Sequence, residues 1–273
     1  MTEQRSLPPD LYTEEYFLHA CEGYEEFSET QGDRLSRRLA AAFAVAAILP
    51  GMRVLDIGCG RGEILRQCAV LGAEAYGIDY APVAVDLAHG LTAKAGGSKL
   101  APGKMGIYQA DAKYPPFPAN SFDRILMFDI VEHLFPWELT LSLASVKRML
   151  KPGGAVIIHT APNAWYDRYA YPGVRLARIL MGQGSQYPRN PRALNVAINV
   201  HVHVNEQSPW GLRRVLRQAG FRDIRVWLAS PPQHRREGLL LAALRSILFR
   251  VPPFRFFFER EIFAVGGKPS EEK

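Results

Sequence analysis

The sequence predicts an α/β protein: a Rossmann-like, doubly wound, seven-stranded and mostly parallel sheet with helices on both faces. Three observations carry this reading. Short apolar runs such as Arg53–Ile57, Asp123–Phe128 and Ala155–Thr160 alternate with longer helical patterns, and strands covered by helices on both sides read as near-continuous apolar runs. The turn Gly58-Cys59-Gly60-Arg61-Gly62 joins the first run to a helical pattern, and glycine there lets a ligand reach main-chain N–H groups. Acids stand at or near the ends of successive runs, at Asp56, Asp79, Asp111 and Asp129, where open α/β sheets bind their ligands.

The elements follow in order. Asp33–Leu49, rich in Ala and Leu, reads as a helix ended by Pro50-Gly51. Arg53–Ile57 is the first strand, and a helix over about Glu63–Leu71 follows the glycine turn. Glu74–Ile78 is a short strand ending at Asp79, and Pro82–Leu91 begins a helix with proline in its first turn. Gly106–Gln109 is a weak strand, Asp123–Phe128 a stronger one, Trp137–Leu150 a helix and Ala155–Thr160 the fifth strand. Pro209–Gly220 reads as the last sheet helix, Arg222–Leu228 as the sixth strand, and the seventh lies near Glu261–Val265.

Composition bounds the rest. A chain of 273 residues with 48% hydrophobic content can bury a sizeable core. The apolar uncharged run Leu39–Met52 is 14 residues, short of the roughly 20 that cross a bilayer. Glu3, Asp10, Glu14 and Glu15 leave no signal-peptide pattern, so a cytoplasmic protein is expected. Cys21, Cys59 and Cys68 form no C-x-x-C pair and read as reduced thiols. Residues 165–260 hold 16 Arg, no Lys and 5 acids, a bias that suits phosphate or carboxylate partners, with a solvated basic face as the plainer reading.

The third glycine narrows the cofactor. A dinucleotide fingerprint needs glycine at position 63, and Glu63 stands there. A carboxylate at a helix N-terminus is expected to repel a pyrophosphate. Asp79 follows Gly58 by 21 residues, where an acid can accept both ribose hydroxyls of an adenosine; a helix N-cap is the competing reading. Asp111, with the Ala112 N–H beside it, suits an adenine amino group, or is a plain turn acid.

Val54–Glu63, Gly77-Ile78-Asp79, Ala110-Asp111, Phe122–Ile125 and Leu150–Gly154 fall in the order and spacing of class I S-adenosylmethionine (SAM) dependent methyltransferases. The chain resembles this family over about residues 30–230, and is similar to the type 11/23 group and to quinone-precursor O-methyltransferases. The resemblance implies that Asp56 with Gly58, Cys59 and Gly60 holds the methionine end of SAM. Asp79 and Tyr80 would take the ribose, Asp111 and Ala112 the adenine, and Phe128 would lie beside the sulfonium. It also implies a helical lid over residues 1–32, including Tyr12, Tyr16, Phe17 and Tyr24. Residues 33–273 would be the methyltransferase domain, with insertions at about 165–207 and 231–255.

Asp129-Ile130-Val131-Glu132-His133 stands where acceptor would meet cofactor. On a helix Asp129, Glu132 and His133 share one face, and a hydroxyl acceptor needs a base such as His133. A second reading is a divalent metal site of Asp129, Glu132, His133 and a downstream histidine, His201 or His203. It is similar to the E-x-x-E-H of metal-dependent methyltransferases acting on quinone precursors and RNA 3′ ends. A third reading is a purely structural cap. Tyr166, Tyr169, Tyr171 and Tyr187, interleaved with Arg168, Arg175, Arg178, Arg189 and Arg192, suit a planar or anionic acceptor, or simply a packed insertion. Leu239–Arg250, flanked by arginines, suits peripheral membrane contact through 235–255, core packing or a dimer contact. The expected function is therefore SAM-dependent methyl transfer to a hydroxyl of a small or lipid-linked acceptor. An RNA 2′-O-methyltransferase and a non-catalytic SAM-binding protein are the alternatives.

Overall fold

The computed structural model describes residues 5–95, 105–194, 196–229 and 246–270. The apolar runs form strands β1 (Arg53–Ile57), β2 (Glu74–Asp79), β3 (Met105–Gln109), β4 (Phe122–Phe128), β5 (Leu150–Thr160), β6 (Arg222–Leu228) and β7 (Ile262–Gly267). They hydrogen-bond into one seven-stranded sheet of order β3-β2-β1-β4-β5-β7-β6. Neighbours β1 to β5 are parallel, and β7 runs antiparallel between β5 and β6.

The described helices include α1 (Tyr24–Thr30), α2 (Arg37–Ala46), α3 (Glu63–Val70), α4 (Pro82–Ala95), α5 (Pro136–Met149), α6 (Tyr171–Leu180), α7 (Asn199–Val202), α8 (Pro209–Gln218) and α9 (Phe254–Phe258). Alternation along the strands sends successive side chains to opposite faces. Leu55, Ile57, Ile125 and Met127 pack with Leu139, Leu143, Val146, Leu212 and Leu216 of α5 and α8. Val54, Leu126 and Phe128 pack the other way, with Leu39, Ala42, Leu65, Cys68 and Ala88 of α2, α3 and α4.

Several boundaries differ from those the pattern suggests, and the starts of α2 and β5 have clear physical causes. Helix α2 starts at Arg37 instead of Asp33 because Ser36 caps it, its Oγ accepting the Leu39 N–H at 3.2 Å. Strand β5 starts at Leu150, which pairs with Phe122 across an irregularity in the register. Residues 230–245, which carry most of the expected membrane-contacting stretch, lie outside the described residues. Among the described residues no helix is long and apolar enough to cross a membrane.

The chain runs β1 to β2 to β3 in one direction and then places β4 on the other side of β1. That reversal splays the connections and opens a crevice at the carboxyl ends of β1 and β4. Ile57-Gly58 and Phe128-Asp129 stand at its mouth.

Candidate functional site

The glycine turn is folded against its neighbours more tightly than any side chain would allow. Gly58 has φ 75°, and a Cβ on it would lie 2.8 Å from Cδ1 of Ile130, so the loop after β4 sits directly on the turn. Gly62 has φ 86°, and a Cβ there would press to 3.1 Å on Ala88 of α4; the third glycine serves helix packing. The N–H groups of Gly58 and Cys59 donate to the Ile78 carbonyl at 2.8 and 3.0 Å.

Beside this turn lies a cleft whose empty space, counting the part open to solvent, is about 760 Å³. Of the cofactor residues expected from the sequence, Gly58, Asp79, Tyr80, Asp111 and Ala112 line it. Asp56 and Cys59 are buried outside the lining, and Phe128 packs into the core with Leu126 and Ile157. Gly60 reaches the cleft only through its N–H, which donates to Oδ2 of Asp79 at 3.1 Å, while the Ala81 N–H donates to Oδ1 at 3.0 Å. Burial pushes the Asp79 carboxyl up to about 6, with these N–H groups pulling the other way. At the far end Asp111 accepts from the Lys113 N–H at 2.8 Å and pairs with its Nζ at 2.8 Å. Lys113 also pairs with the buried Glu138 at 2.7 Å, a contact with no local signature in the sequence.

The N-terminal segment forms the roof. It holds a short 3-10 turn at Pro9–Leu11, a π-type turn at Tyr16–Ala20 and α1, so only its end is the regular helix expected of residues 1–32. Tyr12 and Phe17 are buried against Ala81, Ala84 and Val202. Ser6 Oγ donates to Glu138 at 2.6 Å, and the Tyr80 hydroxyl donates to the Leu7 carbonyl at 3.1 Å. Arg61, inside the glycine turn and almost fully buried, donates to the carbonyls of Phe17 and Glu22 at 2.6 and 2.5 Å. It also pairs with Glu63 and lies 5.0 Å over the Phe27 ring. Glu63 is therefore neutralised, and the expected repulsion of an anionic ligand by its carboxylate loses its force.

The segment after β4 departs from the expected helix. Asp129 has φ 52°, and the following turn is a 3-10 turn over Val131–His133. A left-handed residue breaks helical phase, so Asp129 does not share a helical face with Glu132 and His133. Its Oδ1 instead accepts from Arg38 at 2.9 Å and from His159 Nδ1 at 2.7 Å. Burial opposes the Asp129 charge, but Arg38 and His159 hold its carboxyl well below the usual range. For His159 burial again works against charge, and Asp129 overcomes it, raising the imidazole to about 9. Asp129 is a paired anion held between two cations.

His133 lines the cleft, and its Nδ1 meets the Tyr12 hydroxyl at 3.0 Å. Burial lowers it to about 4, against a smaller opposing pull from Asp129, so it is neutral at physiological pH. Glu132, raised to about 7 by burial and by Asp129, accepts from Thr160 Oγ1 at 2.7 Å. Donor atoms of Glu132, His133 and His203 lie within 4.8 Å of one another. The histidine completing this group is His203; His201 is exposed and Asp129 stays outside. Two nitrogens and a carboxylate suit a divalent ion, yet Glu132 and His133 already have Thr160 and Tyr12 as partners.

Residues 55–158 match the family described as Methyltransferase domain. A ubiquinone/menaquinone biosynthesis C-methyltransferase UbiE of Teredinibacter turnerae is 27% identical over 67% of this chain and 72% of its own length. A ubiquinone biosynthesis O-methyltransferase of Bradyrhizobium sp. is 34% identical over 43% of each chain. Several other curated relatives are likewise matched over about half of their length. In three dimensions a SAM-dependent methyltransferase from Archaeoglobus fulgidus superposes with a TM-score of 0.54 at 21% identity, over 89% of this chain and 99% of the other.

Arg61→Met keeps the bulk of the side chain but strands the buried Glu63 and frees two roof carbonyls. Breaking a buried pair costs about 3–5 kcal/mol. The expected result is a lower unfolding midpoint and faster hydrogen exchange across residues 12–23. Unchanged exchange there would mean that Arg61 does not hold the roof.

Proposed function

We propose that this chain, which belongs to the SAM-dependent methyltransferases, passes the methyl group of SAM to a hydroxyl of a small or lipid-linked acceptor. One observation carries the acceptor chemistry: a neutral histidine, His133, faces the cofactor cleft with Nδ1 on the Tyr12 hydroxyl. Bound SAM supplies a methyl group on a cationic sulfonium. The cleft fits such a group, because Asp79 faces it as a buried carboxylate with no cation beside it in its hydrogen-bond set, between apolar walls from Ile57, Ile78 and Leu134. Asp79 would hold the ribose hydroxyls, and Tyr80 with Ala112 would flank the base.

A hydroxyl becomes strongly acidic as it gains a methyl group, so even a weak base can take its proton in that step. Burial, with Tyr80 and Asp79 adding to it, raises the Tyr12 phenol, which therefore stays protonated. Tyr12 acts as a relay: its proton moves to His133 Nδ1 while the acceptor's proton moves to the Tyr12 oxygen. The relatives named for ubiquinone biosynthesis support a lipid-soluble quinone precursor as one such acceptor. The proximity of Glu132, His133 and His203 supports a second reading, in which a divalent ion acidifies the hydroxyl.

A hydrogen bond to a charged group contributes about 1.5–3 kcal/mol, so Asp79→Asn should weaken SAM binding by about one to two orders of magnitude in calorimetry. The acid is protonated below its raised value of about 6. Wild-type affinity should accordingly fall as pH drops through that value, while the Asn variant stays flat. Equal affinities for the two proteins would remove Asp79 from the site.

Tyr12→Phe and His133→Gln should each lower methyl transfer by about 10²–10⁴-fold, measured as label passing from SAM to extractable acceptors of a cell extract, with SAM affinity kept. Thorough chelation should leave wild-type transfer unchanged. Loss on chelation with recovery on adding Mg²⁺, Mn²⁺ or Zn²⁺ would replace the relay with the metal reading.

A further inference from the structure

Helix α6 presents its apolar side to water. Its exposed residues are Pro172, Gly173, Leu176, Ala177, Ile179 and Leu180, and a spacing of three and four places them on one stripe. Its two arginines turn the other way. Arg175 Nε donates to the Tyr187 carbonyl at 3.1 Å. Arg178 donates to Gln183 at 2.7 Å, with its guanidinium 5.2 Å from the Tyr187 ring. Leu176 is 59% exposed, Leu180 80% and the following Met181 62%. A lone exposed leucine is ordinary, but an entire helix face is not.

The patch continues beyond the helix through ring contacts. Tyr169, just before α6 and 56% exposed, meets Phe257 at 5.7 Å. Phe257 meets Trp165 at 5.9 Å, and Trp165 meets Trp210 at 5.0 Å. Trp210 is 73% exposed. Tyrosine and tryptophan carry an apolar body and a polar tip, the combination favoured at headgroup depth.

Charge selects the occupant. From Arg168 to Asn205 the chain contains no acid, Arg168 and Arg189 are exposed, and the Arg168 guanidinium lies 5.6 Å from the ring of Tyr169 in the patch. Arginine favours an anionic surface. In a two-fold dimer through the same patch these arginines would be repeated on both sides, with no carboxylate from the described residues between Arg168 and Asn205 to meet them. We infer that α6, with Tyr169 and Trp210, lies flat on an anionic phospholipid surface, its leucines entering the acyl boundary and its neighbouring arginines meeting the headgroups. The inference agrees with a lipid-linked acceptor, and rests on that reading only for its purpose, since the surface is independent of the cleft.

The test is co-sedimentation of the full chain with phosphatidylcholine vesicles, with and without phosphatidylglycerol. Wild type should pellet with the anionic vesicles, less so as salt rises, and little with phosphatidylcholine alone. Leu176→Glu combined with Leu180→Glu changes exposed positions only, so its melting curve and SAM affinity should match wild type while its anionic-vesicle binding falls by roughly tenfold or more. Absence of wild-type binding, or equal binding by the double variant, would overturn the inference. So would light scattering that shows a dimer which the double variant splits. Vesicle binding needs neither acceptor nor methyl transfer, so its failure leaves the proposed reaction standing, and failure of the reaction leaves this surface standing.

Discussion

Everything around the cleft depends on how one buried guanidinium is satisfied. Arg61 has no solvent to fall back on, and a buried charge is tolerated only when its donors are matched. Its partners come from two places: Glu63 at the start of α3, and the carbonyls of Phe17 and Glu22 in the N-terminal segment. The glycine turn and the roof are therefore fixed to each other, and the roof in turn carries Tyr12 to His133. The glycine turn and the Tyr12–His133 pair are one mechanical unit, although their residues lie far apart in the chain.

A second constraint acts at the end of β4. Asp129 sits between Arg38 of α2 and His159 of β5, both on Oδ1, so two cations balance its charge while Oδ2 is buried without a hydrogen-bond partner. This keeps it from serving as a base and ties the first residue after β4 to α2 and β5 on one face of the sheet. His133, four residues on, is left in the cleft with burial deciding its state, and burial keeps it neutral. The chain thus separates two roles that neighbouring acid and imidazole side chains often share: Asp129 anchors, and His133 is available for a proton.

Much of this was legible in the sequence, and the limits have physical causes. Strands β1 and β6 fall at the expected residues, and the acid at the end of β2 faces the cleft, because apolar runs and strand-end acids are local patterns. The mostly parallel character of the sheet follows from alternating strands and helices, whereas the place of β7 between β5 and β6 has no local signal. Arg61 was not legible as an anchor of the roof, since its partners there lie 44 and 39 residues away and leave no mark at position 61. The left-handed Asp129 breaks a helical phase that the residues themselves allow, under the pull of Arg38 and His159. Phe128 points into the core because strand alternation puts it on the face of α2 and α3. The exposed face of α6 contradicts simple patterning: its arginines pair inward with Tyr187 and Gln183, leaving the leucines outside.

The cleft and the α6 face divide the work, one chemical and one positional, and the central claim concerns the cleft: Asp79 holds the cofactor while the roof keeps Tyr12 on His133. A crystal structure with S-adenosylhomocysteine tests it most directly. The account predicts the Asp79 carboxylate within hydrogen-bond reach of both ribose hydroxyls, roughly 2.6–3.2 Å, with Tyr12 still bonded to His133 above the sulfur. A ribose held elsewhere, or a roof displaced so that Tyr12 no longer reaches His133, would contradict it.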